Sequence, residues 1–263
     1  MRDATSTGVT LANGDLPVEA PIRIGCAGWN IPKQFAKHAI STGSHLERYS
    51  HLLNCSEINS SFYRPHRKTT WQRWRDSVPT GFRFSVKMPR TITHEAKLNC
   101  DSQTLSLFLE QVSWLGDKLG PILMQLPPSL QFDSSRARSF LSLLRQSYAG
   151  ELVCEPRHPG WFDPEVDELL AEFRVGRVAA DPACVPAASR PAGDGSVVYY
   201  RLHGSPQRYY SAYSDDFLRA LAAQMKEAAS RSETWCIFDN TASGAAFGNA
   251  RHLAIKLKHH CAV

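Results

Sequence analysis

The chain carries 263 residues, 43% hydrophobic and 21% charged, with a net charge of +5. That balance fits a globular chain with one sizeable core and excludes a disordered polymer or a concentrated polybasic tail. No apolar run approaches the roughly 18 residues of a membrane span.

Residues 1–20, within MRDATSTGVTLANGDLPVEAP, are small, polar and dotted with Gly and Pro. They lack the apolar stretch of a secretory leader and are read as a mobile extension, with 21–263 as one domain. The 7 cysteines contain no C-x-x-C pair. Neither a disulfide framework nor a zinc site is expected, and a reducing cytoplasm fits. Cys26, Cys55, Cys154 and Cys236 lie in apolar runs, where thiols act as small buried hydrophobes.

Short runs rich in β-branched and aromatic residues recur along the chain. In order they are IRIGCAG from Ile22, CSEIN from Cys55, FRFSVK from Phe82 and GPILMQL from Gly120, then ELVCEP from Glu151, RVAAD from Arg177, VVYYRLHG from Val197 and TWCIFDN from Thr234. Trp29 to Gly43 has weak periodicity and reads as an excursion before the first helix. Helical patterns fill most other links: Thr69–Val78, Thr104–Leu119, Ser134–Tyr148, Pro164–Phe173, Asp215–Ala229 and Ser243–Lys258. Trp71 and Trp74, at helical spacing, are assigned to the core. The stretch Asp181 to Ser196 has too many Pro and Gly for a helix. The reading is a TIM (β/α)8 barrel whose sixth helix is replaced by a loop. A doubly wound open sheet is the runner-up, but no strand is followed by G-x-G-x-x-G or a P-loop.

In such barrels the site forms where strands end. The strand ends here supply Trp29, then Glu57, Asn59 and Tyr63, then Lys87 with Arg90 and His94, then Gln125. The second half adds Glu155, Arg157 and His158, then Asp181, then Arg201 and His203, then Asp239 and Asn240. Glu155, His158, His203 and Asp239 are the candidate acid–base groups; the others are candidate contacts to a ligand. Four fixed cations beside carboxylates favour a small phosphate- or carboxylate-bearing molecule, because guanidinium forks match such anions. The same cations disfavour a divalent metal, and no cofactor is expected. The expected class is an enzyme, a hydrolase or lyase; a nucleic-acid-binding or endonuclease-like barrel and a non-catalytic sensor are the alternatives. Trp29, Phe62, Tyr63, Trp161, Tyr209 and Tyr213 are candidate walls of the mouth, with Gly204–Ser214 a lid or a nucleic-acid contact. Alternation along VVYYRLHG turns Tyr199, Arg201 and His203 to one side, so Arg201→Ala is expected to weaken ligand binding more than folding.

The blocks GCAGW (25–29), EINSSFYR (57–64), VKMPRTITH (86–94), GPILMQLPP (120–128), EPRHPGW (155–161), AADP (179–182), YYRLHG (199–204) and IFDNTASGAA (237–246) carry a resemblance. In this order and spacing they resemble the YecE-like family, from about Ile22 to the final helix. The resemblance implies a TIM barrel and no settled reaction.

Overall fold

The structure, a computed structural model, describes residues 20–258. Apart from Ala20, the extension read over 1–20 lies outside the described residues.

The strands are β1 (Ile22–Ala27), β2 (Cys55–Ile58), β3 (Arg83–Lys87), β4 (Leu119–Gln125) and β5 (Leu152–Glu155), then β6 (Val175–Arg177), β7 (Ala179–Asp181), β8 (Ala192–Gly193), β9 (Val197–Leu202) and β10 (Glu233–Phe238). They form one sheet in the order β7–β9–β10–β1–β2–β3–β4–β5–β6–β8. All ladders are parallel except β6 with β8. Val178 alone separates β6 from β7, so 175–181 is a single stave. Its first half pairs with β5 and its second with β9, which closes the ring. With that stave counted once and the two-residue β8 set aside, eight parallel staves make the TIM-type barrel that the sequence predicts.

Strand side chains alternate between two cores. Cys55, Leu123, Val153, Val178, Val197, Tyr199, Trp235 and Ile237 cluster inside the barrel. Their neighbours along the strands, such as Cys154, Tyr200, Cys236 and Phe238, pack outward under the helices. Cys26, Cys55, Cys154 and Cys236 are all buried free thiols. Trp71 is in the core, and Trp74 packs against it.

The helices are α1 (His45–Ser50), α2 (Lys68–Asp76), α3 (Ser102–Ser113), α4 (Ser134–Ser147), α5 (Pro164–Glu172), α6 (Asp215–Ala229) and α7 (Ala245–Lys258). Asp101, Asp133 and Ser214 accept backbone N–H bonds that start α3, α4 and α6. The Trp29–Gly43 excursion holds a 3-10 turn over Lys33–His38. It leads into α1, which Ser44 and Glu47 start with a reciprocal capping box. The third helix stops at Ser113 rather than Leu119, because Gly116 adopts a positive φ and Leu119 already belongs to β4. Among the described residues no helix is long and apolar enough to cross a membrane.

No α-helix follows β7. A 3-10 turn at Pro186–Ser189 and β8 fill the link. Buried Arg177 fastens this loop: its guanidinium grips Asp167 through two nitrogens, at 2.6 and 3.1 Å, and donates to the Ala187 carbonyl at 2.9 Å. Between the loop and α6 the missing helix leaves a groove of about 950 Å³, outside the barrel and lined in part by Tyr200, Leu202, Phe217 and Leu221.

Gly25 on β1 leaves no room for a side chain against β2. A Cβ on Gly25 would sit 2.1 Å from the Cys55 carbonyl oxygen. Gly25→Ala is therefore expected to destabilise the fold by about 1–3 kcal/mol, as overpacked cores do. Urea unfolding measures this. An unchanged midpoint would mean that the two staves spread at no cost.

Candidate active site

The C-terminal end of the barrel is closed from below by one guanidinium and three carboxylates. Arg201 projects inward from β9, Glu57 from β2 and Glu155 from β5, while Asp239 follows β10. Arg201 Nε and Nη2 donate to the two Glu57 oxygens at 3.0 and 2.7 Å. Its Nη1 donates to Glu155 Oε2 at 3.0 Å, and its Nη2 lies 3.0 Å from Asp239 Oδ2. Arg201 and Glu57 are 0% exposed and Glu155 is 1%. The Tyr199 hydroxyl donates to Glu57 Oε2 at 3.2 Å and meets Ser85 Oγ at 2.8 Å.

Burial alone penalises each of these charges. For Arg201 the three carboxylates outweigh burial and raise its pKa well above the usual value. For Glu155, burial pushes the carboxyl up, yet Arg157, Arg201 and His203 hold it well below the usual carboxylate range. Asp239 behaves alike: burial is overcome chiefly by Arg201 and by the His203 hydrogen bond.

His203 stands between two of these carboxylates. Its Nε2 is 2.8 Å from Glu155 Oε1 and its Nδ1 is 3.1 Å from Asp239 Oδ2. An imidazole with a carboxylate at each nitrogen can pass a proton at either without losing its orientation. Arg157 Nη2 lies 2.8 Å from Glu155 Oε1 and 3.0 Å from His203 Nε2. A cavity of about 170 Å³ opens here, lined by Glu155, Arg157, His203, Cys184 and Arg208 among others. Arg208 is exposed and, among the described residues, has no ion-pair or hydrogen-bond partner.

Lys87 rises from β3 on the other side of the mouth. Burial, reinforced by Arg201, lowers its ammonium to a pKa of about 8, although Glu57, Glu155 and Asp239 partly offset the shift. Its Nζ lies 4.0 Å from the centre of the Phe62 ring. His94 meets the same ring edge-on at 4.9 Å. Among the described residues no group of three or more His, Cys, Asp or Glu side chains is placed to hold a metal ion, and the Arg201 guanidinium fills the space between the carboxylates.

The family model described as "Protein of unknown function DUF72" matches residues 23–262. The chain belongs to the DUF72 family. The UPF0759 protein YecE of Escherichia coli K12 is 32% identical over 174 residues, covering 64% of this chain and 61% of that protein. The chain thus spans about three fifths of YecE's length. The UPF0759 protein YunF of Bacillus subtilis strain 168 is 23% identical over 265 residues, 88% of this chain and 93% of that protein. The crystal structure of a DUF72 family protein from Thermotoga maritima MSB8 is 25% identical, covers 90% of this chain and 99% of its own, and superposes with a TM-score of 0.77.

This DUF72 barrel does not bring every expected residue together. Glu57, Lys87, Glu155, Arg157, Arg201, His203 and Asp239 converge. Gln125, level with Glu155 in the β4–β5 ladder, turns its Nε2 back to the Leu126 carbonyl at 2.9 Å. His158 does not join the relay: its Nδ1 accepts the Gly160 amide at 3.1 Å and caps a turn. Asp181 shares the outward parity of Ala179, so its carboxylate leaves the mouth and accepts the Tyr213 hydroxyl at 2.8 Å. Asn240 likewise serves the fold, donating to the Ser211 carbonyl at 2.9 Å and to Asn249 at 3.0 Å. Together Asp181, Tyr213 and Asn240 pin the segment that carries Arg208 and Tyr209 over the mouth. Gly204 starts that segment at φ 91°, where a Cβ would lie 2.8 Å from the Ser211 carbonyl oxygen.

At the rim, Arg90 pairs outward with Glu95 at 3.0 Å, and Tyr63 is 68% exposed. Trp29 packs edge-on against Trp74 and Phe84. Asn59 keeps a buried Oδ1 without a partner. Two expected aromatic walls are core instead: Trp161 donates to the Leu130 carbonyl at 2.9 Å, and Tyr213 stacks on Phe217 at 4.4 Å. Sequence reasoning missed the contacts of Tyr199 and Ser85 to the clamp, although Tyr199 shares the parity of Arg201. It placed Arg208 in a loop read as a lid or a nucleic-acid contact, without naming it as a site residue; a cation following a strand end was the available signal.

Arg201 departs from its expected role. Each of its three nitrogens is within hydrogen-bond reach of a carboxylate, which leaves no free fork for an anion. Arg201→Ala would strand three buried carboxylates and is expected to cost about 3–5 kcal/mol of stability. Calorimetric melting measures it. An unchanged Tm with anion binding lost would return Arg201 to the ligand.

Proposed function

We propose that this barrel is an enzyme that takes a small phosphate- or carboxylate-bearing molecule at its C-terminal mouth and moves a proton on it with His203. The carrying observation is the cavity beside Arg157, Arg208 and His203, whose one carboxylate, Glu155, is already neutralised by Arg157 and Arg201. Positive charge there exceeds negative, and guanidinium groups supply paired donors to an oxyanion. About 170 Å³ suits a small ligand rather than a large cofactor. Within this reading Arg157 and Arg208 bind the anion. His203, oriented by Asp239 and Glu155, gives or takes the proton next to it.

A second reading, binding of single-stranded nucleic acid, draws on one observation. Tyr63, Tyr209 and Tyr210 are 68%, 39% and 52% exposed, and Arg208 precedes two of them. Exposed rings beside a cation can stack on bases.

Isothermal titration with inorganic phosphate separates the two. Arg157→Ala and Arg208→Ala are each expected to weaken phosphate binding about 10- to 100-fold, the loss of one charge-assisted hydrogen-bonding group. Tm is followed in parallel for Arg157, which also touches Glu155. Phosphate affinity equal to wild type in both variants would defeat the anion site. Tight, steeply salt-dependent binding of an oligonucleotide with no phosphate site would establish the second reading.

A further inference from the structure

One buried cation of this barrel has no hydrogen-bond or ion-pair partner among the described residues. Four Lys or Arg side chains are buried among the described residues: Lys87, Lys118, Arg177 and Arg201. Arg201 spans three carboxylates and Arg177 grips Asp167. Lys118 donates to the Pro79 and Thr80 carbonyls at 3.1 and 2.8 Å. Lys87 is 6% exposed, its ammonium has no hydrogen-bond or ion-pair partner among the described residues, and it rests over the Phe62 ring. A buried ammonium whose donors find no oxygen acceptor is costly, even where a ring face attracts its charge. Burial and the nearby Arg201 charge both disfavour the ammonium, so the Lys87 amine is freed of its proton more readily than that of an exposed lysine.

The neighbouring stave offers a complementary group. The β2–β3 ladder ends at the Ile58–Val86 pair; Asn59 follows β2 and Lys87 is the last residue of β3. Asn59 Oδ1 is buried and accepts no hydrogen bond. The end of these two strands thus presents an unpartnered amine and an unused acceptor.

We propose that Lys87 is a nucleophile that condenses with the carbonyl carbon of a small oxo acid. The substrate class rests on the anion reading above: the carboxylate lies in the Arg157–Arg208 cavity and the carbonyl turns toward β3. The Lys87 nitrogen pair forms the new N–C bond while the C=O π pair moves onto oxygen. Proton transfer from nitrogen to oxygen gives a neutral carbinolamine, whose hydroxyl has Asn59 Oδ1 as acceptor. The C–O bond then breaks, the second nitrogen proton goes with it, and one water leaves an imine. His203 and His94, which shares the Phe62 ring with Lys87, are the imidazoles of this mouth able to carry those protons. Atoms and electrons balance without a further reactant, and water reverses the step.

The test uses the full chain near pH 7, treated with sodium cyanoborohydride and either glyoxylate, which carries an aldehyde and a carboxylate, or formaldehyde, which carries the aldehyde alone. Peptide mass mapping follows each lysine with time. The expected result is alkylation of Lys87 at least tenfold faster than of the exposed Lys37, Lys68 and Lys97. Glyoxylate is expected to outpace formaldehyde at Lys87, and phosphate or Arg208→Ala to remove that advantage. Lys87→Arg, which keeps a cation but removes the amine, loses the fast adduct, with Tm followed in parallel. If Lys87 reacts no faster than the exposed lysines with either aldehyde, the nucleophile is refuted, whatever the phosphate titration shows. Fast labelling by both aldehydes with no glyoxylate advantage keeps the nucleophile and rejects the oxo acid together with the anion cavity.

Discussion

A single guanidinium inside the barrel sets the terms for everything above it. Arg201 reaches from β9 to carboxylates on β2, on β5 and after β10, and so ties four staves across the axis. Removing charges from water is expensive, and the pairing repays it where geometry and hydrogen bonding are complete. Here they are: both Glu57 oxygens, both Glu155 oxygens and one Asp239 oxygen are engaged. The clamp therefore acts less as a source of net stability than as a device that fixes where each carboxylate points. His203 is aligned because Glu155 and Asp239 are aligned.

The layers above the clamp follow from charge. Arg157 sits on Glu155 and shares it with His203, so the upper surface of the clamp is neutral or positive. The segment after β9 brings Arg208 over that surface. Its own path depends on residues with no place in the chemistry: the Tyr213 hydroxyl on Asp181, the Asn240 amide on Ser211 and the Ser243 hydroxyl on the Tyr210 carbonyl at 2.7 Å. Two polar strand-end residues, Asp181 and Asn240, thus set the position of this loop instead of facing the mouth.

The barrel was largely legible in the sequence. Its staves are short, separated apolar runs, and Pro and Gly between Asp181 and Ser196 forbid a sixth helix. The convergence of Glu57, Glu155, Arg201, His203 and Asp239 was also legible, since charged residues at strand ends have one place to go. What the sequence hides is which parity faces the axis. Parallel strands are apolar on both faces, so alternation does not mark the inside. In β9 the polar Arg201 and His203 settle it. In β6 and β7 nothing does, and Asp181 faces outward with Ala179. His158 and Asn240 fail differently: each is adjacent to a site residue, but local backbone groups capture its side chain first. The saturation of Arg201 was not legible either, because it depends on distances among four strands remote in sequence.

The central claim is that buried carboxylates stay charged because Arg201 and its neighbours hold them so. The most direct measurement is a carboxyl-carbon NMR titration of the full chain from neutral pH downward, with Glu155 and Asp239 assigned. Both are expected to remain ionised as pH falls through the ordinary carboxylate range. Their contribution to stability is then present above the ordinary carboxylate range and lost as pH falls through their depressed values. Titration of Glu155 at or above the ordinary range would mean that burial outweighs the guanidinium groups, and the clamp would not exist as described.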